Sequence, residues 1–432
     1  MSENLLKWED YIQVASLSDI GMRRTTNQDN LAVSFASSMD HWERKGHLFI
    51  VADGMGAHAA GELASKIAID QIPHLYAKFN EVSPPEAIKQ AVQDANAEIH
   101  RRGQANEEFH NMGTTCSCLN ILPQGAVVAH IGDSRVYRLS QNRIEQLTFD
   151  HSLVWEMRAA GQLTAEEEKQ GKVPKNVITR SLGPYPECKV DLEGPFPIQV
   201  GDTFLLCSDG LTGVVSDTEI GSILANMAPD EAASVLIDLA NLRGGPDNIT
   251  AIIVKITHPK MATNQANLGS MKVNEKSQPI PVWVYIVLAL CLILAGALWF
   301  LTNSWQLALI PGLLAIADFI YLIILITSGN TTADIVSPNK RFGKGPYTRY
   351  NCASSSQFAK QISDMLRKLQ EGALREDWKV DWPQLKGLIA EAEAATKKKD
   401  HSNSIRAYGR ALSFLMDQLR NQNDSGNSTI DL

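Results

Sequence analysis

Five aspartates of this sequence share a context that could serve chemistry. Three of them end apolar runs: Asp53 in HLFIVAD, Asp133 in AVVAHIGD and Asp209 in TFLLCSD. Two others lie beside turn residues, Asp29 in GMRRTTNQD and Asp247 in GGPDN. A single aspartate of this kind usually belongs to an ordinary turn, because turns favour Asp and Gly. Five in the same context favour a shared site instead.

The five carboxylates are the kind of ligand that hard divalent cations such as Mg²⁺ and Mn²⁺ prefer. Two adjacent ions need carboxylates from separate segments, and a short side chain at the end of a rigid strand places its oxygens accurately. Gly54 and Gly210 follow two of the acids and allow backbone or solvent to approach a metal. Histidines and cysteines do not cluster here, which disfavours a soft-metal site. The pattern predicts a site for two hard divalent ions.

A pair of such ions points to hydrolysis at phosphorus. Two adjacent divalent ions activate water at neutral pH and stabilise in-line displacement. The reaction also needs a cation for the phosphate oxygens and an acid for the leaving alkoxide. Arg24 suits the first role because a guanidinium can bind two oxygens at once. His58, five residues after Asp53, suits the second, and an exposed structural histidine is the alternative for it.

The elements that must position these residues are short strands and a few helices. Residues 10–257 contain many apolar or β-branched runs, together with amphipathic stretches such as SPPEAIKQAVQDANAEIHRRG, where Ser83 precedes a proline-led helix. An aperiodic stretch over residues 258–280 predicts a linker. The sequence therefore predicts an α+β catalytic domain over residues 1–257.

Two long apolar runs follow the first linker, residues 281–301 and 305–327. A membrane crossing needs about 20 apolar residues, tryptophans lie near the ends of the runs, and lysines flank the pair. We expect a transmembrane helical hairpin over residues 281–327 in the cell (inner) membrane, with the domains on both sides of it cytoplasmic. Two buried core helices are the alternative.

The remaining sequence predicts a second linker over residues 328–353 and a small all-α interaction domain over residues 354–432, whose apolar residues recur at helical spacing. A net charge of −8 without a long basic run excludes a nucleic-acid partner. Six cysteines fall in no disulfide or zinc spacing, and the N-terminus lacks the pattern of a signal peptide. The domains outside the membrane should therefore face a reducing cytoplasm.

Eight motifs in order resemble those of the metal-dependent, type-2C serine/threonine protein phosphatases, the PPM family, and their form is similar to its bacterial branch. They are GMRRTTNQD (21–29), VADGMGAHAAGE (51–62), MGTT (112–115), IGDSRVY (131–137), LTFDHS (147–152), TRSLG (179–183), LLCSDGL (205–211) and GGPDNIT (244–250). The resemblance covers residues 10–257. It does not extend to the apolar hairpin or the C-terminal helices.

The resemblance implies a fold with a central antiparallel β-sandwich flanked by helices, an α-β-β-α arrangement with a metal cleft at one end. It implies that Asp53 bridges two Mn²⁺ or Mg²⁺ ions and that the Gly54 carbonyl binds one of them. Asp209 and Asp247 would complete the other ion, and Asp29 would act through water.

Further roles follow from the same resemblance. Asp133 with Asp209 matches the site of a third, weaker ion in bacterial relatives. Arg24 would hold the substrate phosphate, and His58 would protonate the departing serine or threonine oxygen. Residues 152–182 correspond to the mobile flap beside the cleft, where substrate choice is set.

One departure concerns Gln28, because many relatives have Glu at this position. The acids that would contact the ions are all present, so we still expect an active enzyme. The sequence predicts a membrane-anchored phosphatase that acts on phosphorylated proteins and opposes a bacterial Ser/Thr kinase. A phosphoprotein-binding adaptor with a degenerate catalytic domain and a bimetal hydrolase of small phosphate esters are the alternatives.

Overall fold

Two antiparallel β-sheets organise the computed structural model, which describes residues 8–56, 59–164, 167, 173–174, 177–263, 282–302, 305–329 and 341–425. The strands are β1 (Ile12–Asp19), β2 (Asp29–Ser34), β3 (His47–Met55), β4 (Gly113–Thr114), β5 (Cys116–Leu122), β6 (Gly125–Ile131), β7 (Arg135–Ser140), β8 (Arg143–Gln146), β9 (Asp191–Phe196), β10 (Thr203–Cys207), β11 (Ile249–Ile256) and β12 (Thr348–Asn351). The helices are α1 (Met39–Lys45), α2 (Ala60–Lys78), α3 (Pro84–Ala105), α4 (Leu153–Ala159), α5 (Asp209–Thr212), α6 (Asp217–Asn226), α7 (Pro229–Leu242), α8 (Val282–Thr302), α9 (Trp305–Gly329), α10 (Ser356–Arg375), α11 (Trp382–Lys397) and α12 (His401–Ser425).

The strands form sheet A, in the order β1-β11-β10-β7-β8-β12, and sheet B, in the order β2-β3-β5-β6-β9, with β4 paired to β3. Strand β3 carries an unbroken apolar run over residues 48–52 because both of its faces are buried there. Side chains alternate between the two faces of a strand, so Phe49 and Val51 pack between the sheets, whereas Ile50 packs beneath the helices on the outer face. Burial on both faces therefore needs a continuous apolar run rather than an alternating one.

Helices cover the outer face of each sheet. Helices α2 and α3 place Ile72 and Ile99 in one core with Ile50 on the outer face of sheet B. Helices α6 and α7 share another core with the outer face of sheet A. The mixed α+β fold agrees with the prediction for the catalytic part, and it brings the ends of several strands together at one end of the sandwich.

The chain forms two compact units, Met271–Ser337 and a unit that combines Met1–Ser270 with Pro338–Leu432. In the latter unit, β12 extends sheet A by pairing with β8. Helices α10 to α12 contribute apolar side chains, such as Leu366 and Leu412, to the core that α6 and α7 share with sheet A. The stretch predicted as a second linker, residues 328–353, thus contains an edge strand, and the C-terminal helices are packed on the sandwich.

The predicted transmembrane hairpin is corrected by the structure. Helices α8 and α9 form over the two apolar runs and contact each other. Within the described residues, however, no helix combines the length and the apolar character that a bilayer crossing demands. The prediction rested on the length of the apolar runs, the tryptophans near their ends and the flanking lysines, which are features of the sequence and not of the folded helices. The membrane partner and the multi-pass inner-membrane location, which depended on these spans, are therefore withdrawn.

Candidate active site

The five predicted acids meet at one end of the two sheets. Asp29 begins β2 and is the direct cross-strand partner of Asp53 on β3. Asp209 follows β10, and Asp247 precedes β11, the antiparallel neighbour of β10, so these two acids lie at the same end of sheet A. Asp133 lies between β6 and β7. After burial, the charges of the other four acids are what raise the pKa of Asp53, so the five carboxylates converge.

The backbone around Asp53 is held by its neighbours. The Thr115 N–H donates to the Asp53 carbonyl over 2.8 Å, and the Thr115 hydroxyl accepts from the Asp53 N–H over 2.9 Å. A Cβ atom added at Gly54 would lie 2.1 Å from the Gly61 carbonyl oxygen and 2.7 Å from that of Gln28. Only glycine therefore fits at position 54, where β3 passes between Gln28, at the end of the β1–β2 loop, and Gly61, at the start of α2.

Asp29 is fixed by a residue that the sequence did not single out. The Ser208 hydroxyl donates to Asp29 Oδ2 over 2.7 Å and accepts from the Thr250 N–H over 3.0 Å. This pair of bonds joins β2 to the ends of β10 and β11. Ser208 stands in the motif LLCSDGL, directly before Asp209. The motif was therefore its signal, although the role of the hydroxyl depends on a contact with a distant segment.

The acids carry buried oxygens that lack compensation. Within the described part of the chain, Oδ1 of Asp29, Asp133 and Asp209 is buried without a hydrogen-bond partner. Burial, with added repulsion from neighbouring acids, raises the pKa of Asp29 to about 7 and that of Asp133 to about 8. The same causes raise the pKa of Asp53 and Asp209. Such a cluster disfavours its own ionised state unless a cation neutralises it.

The donor chemistry fits a hard divalent cation, although the carboxylates do not yet surround one. Over the described ranges, no group of three or more His, Cys, Asp or Glu side chains is arranged so that it could hold a metal ion as it stands. Asp247 is engaged instead by Arg24, with 2.7 Å between Nη2 and Oδ2. Anionic oxygens that are buried and unpartnered are the ligands that Mg²⁺ and Mn²⁺ prefer. Ligation by Asp247 would compete with its bond to Arg24.

The two predicted residues for phosphate binding and proton donation differ in what the structure describes. The Arg24 side chain is 49% exposed and lies beside Asp247 at the rim of the acid cluster. It can therefore reach solvent and a ligand from the same position. His58 lies outside the described residues, so its role as the proton donor stays a prediction.

Residues 152–182 are attached to the strands of the acid cluster at both ends. At the first end, the Gly132 carbonyl accepts from the His151 N–H over 2.8 Å, and His151 Nδ1 accepts from the Gly132 N–H over 3.0 Å. At the second end, Leu182 pairs with Thr114, whose hydroxyl donates to the Asp53 carbonyl over 2.9 Å. The predicted flap thus begins beside Asp133 and ends beside Asp53.

A buried arginine network supports the Asp133 side of the site. Arg135 donates to Asp150 over 2.9 Å and to the Tyr137 hydroxyl over 2.8 Å, and that hydroxyl donates to Asp217 over 2.8 Å. These groups lie two or more residues from Asp133 and fix the turn that carries it. Arg135 and Asp150 belong to the motifs IGDSRVY and LTFDHS. The sequence contained these motifs but did not reveal the pairing between them.

We expect the metal-free protein to lose stability as pH rises from about 6.5 to 8.5. An acid whose pKa is raised on folding binds more protons in the folded state, so deprotonation favours unfolding. Asp29, at about 7, and Asp133, at about 8, titrate in this window. His47 and His130, whose pKa burial lowers to about 3, give the opposite slope only below their unfolded value of about 6.5.

The measurement is the thermal unfolding midpoint in EDTA at several pH values, repeated with excess Mn²⁺. The midpoint in EDTA should fall across the window, and Mn²⁺ should raise it more at pH 8.5 than at pH 6.5, because the ion replaces protons on the acids. A midpoint that is flat or rises with pH in EDTA would contradict the account.

Comparisons with known proteins agree with this geometry. A family model for Protein phosphatase 2C matches residues 23–234. Protein phosphatase PhpP of Streptococcus pneumoniae serotype 2 is 38% identical over 253 residues, which cover 57% of this chain and 98% of PhpP. The Mycobacterium tuberculosis serine/threonine phosphatase PstP/Ppp is 32% identical in its crystal structure, with a TM-score of 0.50 over 57% of this chain and 100% of that chain.

A structure of the PstP catalytic domain in complex with two manganese ions is 31% identical and covers 57% of this chain and 99% of that chain, with a TM-score of 0.49. These matches leave the remainder of this chain uncovered. The alignment covers nearly the whole length of PhpP, and its identity establishes that PhpP and this chain belong to one family. The chain therefore belongs to the protein phosphatase 2C family, the metal-dependent serine/threonine phosphatases whose motifs its sequence resembles.

Proposed function

We propose that this chain hydrolyses phosphoserine and phosphothreonine in proteins at the acid cluster, with Mn²⁺ or Mg²⁺ as cofactor. The observation that carries the proposal is the convergence of five buried or half-buried aspartates from separate segments, three of which have an oxygen without a partner among the described residues. The names of the relatives, which are protein phosphatases, support the choice of a phosphorylated protein as substrate.

Each acid has a proposed role that its position supports. Asp53 would bridge two ions, because it lies at the centre of the cluster and feels the charge of all the other acids. The Gly54 carbonyl would bind one ion, and Asp209 and Asp247 would complete the other. Asp29, fixed by Ser208, would act through water. When bound, the two divalent ions supply a water activated for attack and charge that stabilises displacement at phosphorus.

A third, weaker ion is proposed between Asp133 and Asp209. The pKa of Asp133 is raised first by burial and then by the charge of Asp209, which supports the assignment of both carboxylates to one cluster. Asp133 is also the acid whose turn is fixed by the buried Arg135 network. A variant that tests the role of Asp133 should therefore replace Asp133 and leave Arg135 intact.

Arg24 is proposed to hold the substrate phosphate. The Arg24 guanidinium bonds Asp247 and is half exposed. An entering phosphate dianion can therefore replace Asp247 as the partner of Arg24. This exchange would free an oxygen of Asp247 at the moment when substrate binds. His58 is proposed to donate a proton to the departing serine or threonine oxygen.

Replacing Arg24 by alanine should raise KM for a phosphothreonine peptide by about 10- to 100-fold, which corresponds to the loss of one charge-assisted phosphate contact. The free energy of unfolding should change by less than about 1 kcal/mol, because the Arg24–Asp247 pair is exposed. Steady-state kinetics and thermal unfolding check both statements. Arg23→Ala, at the neighbouring exposed position, is the matched control and should leave KM unchanged.

The experiment that tests the function uses the full chain with three substrates, each in Mn²⁺, Mg²⁺ and EDTA. A phosphothreonine peptide should be hydrolysed in Mn²⁺ and not in EDTA, with a higher kcat/KM than nucleotides. Preference for nucleotides would favour the hydrolase of small esters. Peptide binding without turnover of the peptide or of para-nitrophenyl phosphate would favour the adaptor.

The proposed biological setting is opposition to a Ser/Thr kinase of the same bacterial cell, since a phosphatase of this specificity needs a source of phosphorylated protein. We further propose that residues 1–257 carry the reaction and that residues 354–432 influence which partners reach it. Pull-down of substrates by the full chain and by variants of exposed residues on α10 to α12 tests the latter idea, because altered partners with unchanged turnover of a small ester would support it.

A further inference from the structure

The segment of residues 341–352, here named the strap, wraps a buried carboxylate on sheet B. Glu193 of β9 is 2% exposed. Its carboxylate accepts from the Gly345 N–H over 2.8 Å and from the Tyr347 hydroxyl over 2.6 Å. A Cβ atom added at Gly343 would lie 2.0 Å from Glu193 Oε2, so a larger residue there would have to displace the carboxylate. These contacts fix the strap against the sandwich.

The strap also contacts the start of the flap region through aromatic rings. The ring of Tyr347 lies 5.4 Å from that of Phe149, which in turn lies 5.4 Å from the ring of Trp155 on α4, in an edge-to-face arrangement. Phe149 directly precedes Asp150, which holds Arg135, and lies two residues before His151, which bonds Gly132. The three rings thus connect a segment more than 190 residues away in the sequence to α4 and to the turn that carries Asp133.

We propose that Tyr347 is a positioning residue for the phosphatase reaction, which it serves by holding Phe149 and α4 in place beside the acid cluster. The proposal rests on the proposed function for its kinetic consequence. Helix α4 begins two residues after His151, which bonds Gly132 next to Asp133, so we place α4 at the border of the acid cluster on the Asp133 side. A protein substrate extends beyond its phosphate and would contact this border, whereas para-nitrophenyl phosphate would not.

The hydroxyl and the ring of Tyr347 contact different residues, so their roles can be tested separately. The hydroxyl bonds Glu193, while the ring contacts Phe149. Tyr347→Phe removes the hydroxyl and keeps the ring, and Tyr347→Leu removes both. If the ring positions α4, Tyr347→Phe should restore what Tyr347→Leu loses. A role limited to bonding Glu193 would make the two variants equal.

The test measures kcat and KM of the full-length protein for a phosphothreonine peptide and for para-nitrophenyl phosphate. Tyr347→Leu should raise the peptide KM by about 3- to 10-fold, the range expected for one aromatic pair, with peptide kcat and both constants of the small ester within about twofold. Tyr347→Phe should match the wild type. Tyr350→Leu, which removes an exposed tyrosine three residues along the strap, is the control and should have no effect.

A second readout does not depend on activity. Tyr347→Leu should shift tryptophan emission to longer wavelength, and the shift should vanish in a Trp155→Phe background, because Trp155 is the indole that the rings position. If Tyr347→Leu fails to fold, Phe149→Leu takes its place and should produce the same shift of the tryptophan emission. An unchanged emission, an unchanged peptide KM in an active enzyme, or an equal loss with both substrates overturns the inference. Absence of hydrolysis by the wild type would instead count against the proposed function, and the emission test would still decide the role of Tyr347.

Discussion

Asp53→Asn is expected to reduce Mn²⁺-dependent hydrolysis of a phosphothreonine peptide by about a thousandfold or more, while it raises the thermal midpoint of the metal-free protein. A loss of this size corresponds to about 4 kcal/mol of transition-state stabilisation, as expected when a metal-binding carboxylate is removed. The midpoint should rise because Asp53 is buried and repelled by four other acids, so its ionised form opposes folding. Kinetics and unfolding in EDTA measure the two effects.

Lower activity together with a higher thermal midpoint distinguishes a catalytic role of Asp53 from damage to the fold. A variant that only disturbs packing would lose activity and stability together, whereas Asp53→Asn should lose one and gain the other. Asp94→Asn on the exposed face of α3 is the matched control and should change neither property. Retained activity in Asp53→Asn, or a lower midpoint in EDTA, would be inconsistent with the proposed role of this acid.

Arg420→Met is expected to lower the free energy of unfolding by about 2–3 kcal/mol, the second large effect. Arg420 on α12 pairs with Asp238 on α7, which is fully buried, and its guanidinium also lies 4.0 Å from Asp19 at the end of β1. Removing one partner of a buried pair leaves an uncompensated charge and typically costs about 3–5 kcal/mol. Partial exposure of Arg420 reduces the expected value. Denaturant unfolding of the full chain measures it.

Two further variants make this prediction specific. Arg410→Met breaks the more exposed pair between Arg410, also on α12, and Glu231. It should lower the free energy of unfolding by less than about 1 kcal/mol. Asp238→Asn combined with Arg420→Met should recover most of the loss, because the stranded charge is gone. Burial raises the pKa of Asp238 to about 6 even though Arg420 lowers it, and the pKa would be higher without Arg420. The deficit of Arg420→Met should therefore shrink as pH falls toward 6 and stay constant below it, where Asp238 is protonated in both proteins. Equal losses in Arg410→Met and Arg420→Met would contradict this account.

The sequence predicted the acid cluster because its signals are local. Asp53 lies near the end of β3 and Asp209 follows β10 closely, and the apolar runs of these strands can be recognised in the sequence because both faces of β3 and β10 are buried. The pairing of Asp29 with Asp53 across β2 and β3 was not visible, because register depends on contacts between segments. For the same reason Ser208 and Arg135 were present in motifs without an assigned role.

The predictions that differ from the structure concern segments whose fate depends on distant partners. The strand Thr348–Asn351 is short and follows glycines and a proline, so its composition resembles a linker until it is seen to pair with β8. The apolar spacing of α10 to α12 indicated helices but could not show that sheet A and α7 share their core. The apolar runs over residues 281–327 were interpreted as membrane spans from their length, the tryptophans near their ends and the flanking lysines, and the described helices do not support such spans.

The central claim is that acids from separate segments gather to hold two divalent ions. Anomalous scattering from crystals of the full chain grown with Mn²⁺ tests it most directly. The account predicts two strong peaks on either side of Asp53, one beside the Gly54 carbonyl and one beside Asp209 and Asp247, and their loss in Asp53→Asn. A map without manganese peaks at Asp53, obtained from protein that still hydrolyses the phosphopeptide, would contradict it.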